Sequence, residues 1–180
     1  MKTNVNDGST DRLTANYLSS FRASLNNDER FDLIMEFYTA FSRFEYTLKS
    51  KGITHSNEDA KVNWSSFEKK IEKNLSKQHS ANNEVKRAVD IILSRPPKKQ
   101  IITDSQYLSW RTTDDSKKTE VEKLTLYVRR VRNNLFHGGK FTGSDDTTRN
   151  WELLEAALIV ISYWLENISD FKDEFFDTNT

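Results

Sequence analysis

Along most of this chain apolar residues recur every three or four positions, the spacing that gives an α-helix one buried face. The pattern is strongest over residues 28–50, where Phe31, Ile34, Phe37, Tyr38, Phe41, Phe44 and Leu48 gather on one side. Asn27 precedes that run as an N-cap, and Gly52 follows it as a helix stop. Further helices are predicted over residues 11–25, 58–77, 82–93, 117–136 and 146–168, the last capped near Ser144 or Asp145. Pro96-Pro97 ends the helix at 82–93, because proline lacks the amide hydrogen and clashes with the preceding turn. Residues 1–10 are polar and predicted to be frayed. The stretch 94–116, "SRPPKKQIITDSQYLSWRTTDDS", has no helical period and is longer than an ordinary connection. The expectation is an all-α protein: an up-and-down bundle of about five to six helices, with a long loop between the fourth and fifth, in a single domain over 11–175.

Composition narrows the function without naming it. Five glycines and two prolines in 180 residues suit a helical chain. Lysine plus arginine and aspartate plus glutamate are equal at 27 each, which excludes a simple polycation coating nucleic acid but leaves room for a local basic patch. With no cysteine there are no disulfides and no thiolate zinc sites. The start, "MKTNVNDGSTDR", has no apolar core, and no apolar run approaches the ~20 residues of a membrane span. Those features predict a soluble, cytoplasmic protein with no membrane partner. His55 and His79 stand in polar connections without companion ligands and read as solvated loop histidines. No phosphate-cradling glycine loop occurs, and neither a metal nor a cofactor is expected.

Candidate chemistry concentrates in "RNNLFHGG", residues 132–139. Val121, Leu124, Tyr127, Val128, Val131 and Leu135 form the apolar stripe of the helix that ends there. Arg132 lies about 70° from the stripe's centre, so its stem can be buried while its guanidinium faces a groove. Arg129, Arg130 and Lys140 add positive charge, and no acidic residue lies between Leu124 and Thr142. Such a local cationic patch suits a phosphodiester partner. His137 points about 140° from Arg132 on an ideal helix. Either the helix loosens before Gly138-Gly139, or a second chain supplies the complementary group; an ordinary helix end rich in basic residues would look similar. In the helix at 28–50 the apolar spacing places Glu45 about 45° from the stripe's centre. A carboxylate there needs a partner, with Arg132 or Asn133 as candidates, or else reaches out at the stripe's edge.

Arg132-Asn133-Asn134-Leu135-Phe136-His137, with "FSRFEYTLKSKG" in an early helix and the terminal "WELLEAALIVISYWL", resembles the HEPN domain family in its form with four residues between arginine and histidine. The resemblance spans about residues 28–170. It implies a metal-independent endoribonuclease, a toxin of a toxin–antitoxin system or a phage-defence effector, in which two domains pair so that both motifs line one cleft. His137 would act as general base on the ribose 2′-OH or as acid to the leaving oxygen. Arg132 would stabilise the phosphorane. Asn133 would orient the phosphate or the histidine, with Glu45 and Asn134 in support, and Arg129, Arg130 and Lys140 would hold RNA. The products would be a 2′,3′-cyclic phosphate and a 5′-OH, which only RNA can give. Tyr107 or Trp110 in the 94–116 stretch would stack bases, unless the loop merely covers the bundle. A second reading is a non-catalytic HEPN-like module that binds an antitoxin, a nucleotidyltransferase or nucleic acid; a third is a plain helical scaffold.

Overall fold

The apolar run predicted to be the strongest element forms α1, Phe31–Ser50, and buries Ile34, Phe37, Phe41, Phe44 and Leu48. The computed structural model of the chain describes residues 31–55, 59–75, 82–136, 147–168 and 170–177. The polar start at 1–10, the helix predicted over 11–25, the Asn27 cap, His79, His137, Gly138-Gly139, Lys140 and the Ser144/Asp145 cap lie outside these residues. α1 ends where Gly52 takes a φ of +74°, which costs glycine little. The Gly52 amide donates to the Lys49 carbonyl (3.0 Å) and that of Ile53 to Leu48 (2.9 Å). Both orphan carbonyls are thereby satisfied, and Ile53 folds back into the core.

Residues 58–77 depart from expectation. The helix there, α2, covers Trp64–Leu75, and Val62 instead pairs with Thr54 in an isolated antiparallel bridge. Asn63 decides the start: its side-chain oxygen accepts from the Ser66 amide (3.0 Å), the N-cap geometry that begins a helix. Next comes α3, Asn83–Ser94, whose Asn82 cap accepts from Glu84 and Val85. The stretch between the fourth and fifth predicted helices is not a bare loop. It carries a hairpin, β1 Lys99–Ile102 and β2 Leu108–Arg111, paired antiparallel with Lys99 opposite Arg111 and Ile102 opposite Leu108. Gln106, at φ +61°, turns the chain.

α4, Glu120–Phe136, opens on a capping box. The Thr119 amide donates to the Glu122 carboxylate (2.7 Å), and the Glu122 amide to the Thr119 hydroxyl (3.2 Å). α5, Thr147–Asn167, is followed by a short helix the periodicity did not predict, α6, Phe171–Phe176. Among the described residues the protein is therefore predominantly helical, six helices with one small sheet. No described helix is long and apolar enough to cross a membrane.

α5 packs most extensively on α3 and α1, α2 and α3 lean on α4, and α6 closes against α1. At the centre, the rings of Phe44, Phe67 and Trp164 lie 5.2–5.7 Å apart, joining α1, α2 and α5. Edge-to-face and offset ring pairs at such spacing add to the burial of their area. This cluster fixes α1 beside α2 and α5, and the site forms where Arg132 of α4 reaches α1 at Glu45.

Candidate functional site

Arg132 and Glu45 meet across the α1–α4 contact. Nη2 of Arg132 donates to Oε1 of Glu45 at 2.6 Å. Both side chains are less than one-third exposed, at 29 % and 28 %, so water screens the pair only partly. The guanidinium also lies 5.0 Å from the centroid of Phe41 and 5.8 Å from that of Phe136. An arginine over ring faces in a half-buried place gains a cation–π attraction that offsets some desolvation. Its Nε is buried with no hydrogen-bond partner among the described residues.

The pair borders a recess of about 70 Å³ lined by Tyr38, Phe41, Ser42, Glu45, Arg132 and Phe136, among others. Tyr38 was expected on the apolar face of α1. It stands 45 % exposed instead, its ring stacked on Phe136 at 5.0 Å, and Phe136 is 55 % exposed. The two rings form an aromatic lip beside Arg132.

The other motif residues separate. Asn133 is exposed on α4. Asn134 is buried, and its side-chain amide donates to the Lys98 carbonyl at 2.8 Å, which fastens α4 to the lead-in of β1. Its position is thus explained by holding the fold together.

The cationic patch is divided among different faces. Arg130 pairs with Asp115 at 2.8 Å, with side chains only 12 % and 8 % exposed. Burial by itself would raise the Asp115 carboxyl. Hydrogen bonds from Thr113, Arg130 and Tyr127 outweigh it and hold the group below the ordinary carboxylate value. Arg130 lies about 160° round the helix from Arg132, whereas Arg129 lies about 60° from it. Arg129 sits over the Trp64 ring, 4.6 Å from its centroid. Burial pulls its pKa down, Glu68 and Glu45 push it up, and Arg132 adds to the lowering. In the hairpin Tyr107 is 73 % exposed while Trp110 is half-buried.

Beside Glu45, on the side of Arg129, lies a second and larger groove of about 430 Å³. Lys49, His55, Lys61 and Trp64 line it together with Glu45 and Arg129. Sequence reasoning passed over Lys49, Lys61 and Trp64 and left His55 as a solvated histidine. Only Lys49 was signalled, four residues after Glu45 on the same helix face. Among the described residues no three histidine or acidic side chains gather as a metal site would require. Comparisons of the chain with protein-family models, with curated proteins and with solved structures returned no match.

Proposed function

We propose that the protein is a HEPN-type endoribonuclease that cuts RNA by attack of the ribose 2′-OH, working as a homodimer in a toxin–antitoxin or phage-defence setting. The observation that carries this reading is the Glu45–Arg132 pair. It holds a part-exposed guanidinium at the edge of a recess, on the helix that leads into His137. A planar cation fixed by a neighbouring carboxylate suits the charge that builds on a phosphorane, since it needs little reorganisation when that charge appears. In the proposed reaction one imidazole takes the 2′-proton, the 2′-oxygen attacks phosphorus, and the 5′-oxygen leaves with a proton from a second imidazole. A partner chain would supply that second His137, and the exposed Tyr38–Phe136 lip beside Arg132 suits such a contact.

Incubation of wild type, His137→Ala and Arg132→Ala with total RNA in EDTA tests this. Wild type should leave 2′,3′-cyclic phosphate and 5′-OH ends, and each substitution should lower cleavage at least about a hundredfold. Cleavage undiminished in His137→Ala would sink the catalytic assignment. One feature favours the rival, a non-catalytic module that binds a protein partner or nucleic acid: Arg130 and Arg132 are each already paired with a carboxylate. That reading expects no cleavage from any of the three proteins.

A further inference from the structure

The larger groove collects positive charge from three separate parts of the chain. Lys49 comes from the last turn of α1, Lys61 from one side of the Thr54–Val62 bridge and Arg129 from α4, with the His55 imidazole on the bridge's other side. The Gly52 turn and the bridge bring His55 and Lys61 to the same opening, and the Asn63 amide fastens the bridge by donating to the Ile53 carbonyl at 2.9 Å.

Within the described residues little neutralises the two lysines. Lys49 has no ion pair there; Arg129 rests on the Trp64 ring, with the carboxylates of Glu68 and Glu45 acting on its charge. Lys61 reaches Asp59 at 3.4 Å, but the two side chains are 67 % and 87 % exposed, and such surface pairs contribute little. Glu45 is the one carboxylate in the lining, and its charge is engaged by Arg132.

We propose that this groove seats the phosphates of a single RNA strand next to the position being cut. The naming of RNA rests on the ribonuclease reading above; the anionic character of the ligand rests on the groove itself. Glu45 lines both the groove and the Arg132 recess, so a strand with one phosphate at Arg132 continues directly along Lys49, Lys61 and Arg129. The volume lies within the range of small-ligand sites, ~300–1,000 Å³, and matches roughly one or two nucleotides. Trp64, half-buried, and the guanidinium resting on it supply the flat surfaces on which unpaired bases stack. Contacts of this kind read phosphates and not bases, so the groove adds affinity without sequence preference.

Fluorescence anisotropy with a labelled 2′-O-methyl RNA of about 12 nucleotides tests the proposal, because a 2′-O-methyl strand binds but cannot be cut by its own 2′-oxygen. Lys49→Gln/Lys61→Gln should bind about tenfold more weakly than wild type at low salt. The slope of log affinity against log salt should fall by about 1.4, as two contacts at about 0.7 each are lost. Lys49→Arg/Lys61→Arg should bind as wild type does. The proposal is overturned if wild type does not bind the strand, if the glutamine variant binds as tightly with an unchanged slope, or if a phosphopeptide of equal charge displaces the RNA. The two readings then separate by cleavage of unmodified RNA. Wild type that binds through the groove and never cuts keeps the groove and removes the ribonuclease. Wild type that cuts while the glutamine variant binds unchanged removes the groove alone.

Discussion

At the scale of single residues, the carboxylate of Glu45 is the informative case. A charged group set among phenylalanines at 41, 44 and 37 is costly unless an opposite charge meets it. The helical spacing of α1 exposed that difficulty, and the position of Arg132 at its own stripe's margin offered the answer; the 2.6 Å contact joins them. Because both side chains are partly exposed, the pair should contribute modestly. In a double-mutant cycle of Glu45→Ala and Arg132→Ala, urea unfolding should give a coupling of about 1 kcal/mol. Each single substitution should lower the midpoint with an unchanged m-value. A coupling indistinguishable from zero would mean that the contact does not position Arg132. Asn134 teaches the opposite lesson. As a neighbour of Arg132 in sequence it looked like part of the site, yet its hydrogen bond to the Lys98 carbonyl gives it a structural task.

At the scale of elements, local signals located what local physics controls. The Gly52 stop, the Pro96-Pro97 break and the start near 82 are visible in sequence because caps and breaks act within one turn. The hairpin was not visible. Its strands have four residues each, too few for a period of two to stand out, and both are intermediate only in their middle positions. α6 escaped for a different reason. Six residues hardly sustain a helix in isolation, and this one is held by α1. The Arg43 guanidinium donates to the Glu174 carbonyl (3.1 Å) and twice to that of Phe175 (3.1 and 2.9 Å), satisfying the carbonyls that a helix end leaves open. Phe171 is fully buried beneath it. Arg43→Met keeps the stem and removes the donors. Amide exchange in residues 171–177 should then rise about tenfold or more while α3 and α5 keep their protection; equal protection in both proteins would show that Phe171 alone suffices.

At the scale of the whole molecule, neutrality takes a definite form. The arginines of α4 have no acidic neighbour along the chain from 125 to 141. Folding nonetheless brings Asp115 to Arg130 and Glu45 to Arg132, and leaves Lys49 and Lys61 as the less compensated charges. The buried Asp115–Arg130 pair also predicts acid behaviour. The folded state holds the Asp115 carboxyl below its ordinary value of 3.8, so its contribution is complete above that value and is lost as pH falls through the lower, folded one. Asp115→Asn should therefore lower stability at neutral pH by about 1–3 kcal/mol, leaving Arg130 without its charge partner. The difference from wild type should shrink below about pH 3.8, where the carboxyl of the unfolded wild-type chain takes up its proton and the folded one does not yet. Thermal unfolding followed at pH 7 and pH 3 checks this, and a gap that stays constant between the two would remove the ion pair as its cause.

The sequence by itself determined five of the six described helices, several of their ends, and the presence of an arginine and a glutamate at the margins of two apolar stripes. Helical periodicity and capping depend on residues within a turn or two of one another, and those are adjacent in the chain. Only the tertiary structure decided which carboxylate meets which arginine, that Asn134 serves the hairpin, and that His55, Lys61 and Trp64 share a groove with Arg129. Those facts depend on how α1, α2 and α5 pack around Phe44, Phe67 and Trp164 and on how α4 lies against α2 and α3. A side chain's electrostatic partners come from the neighbouring element, and which element that is follows from packing of the core.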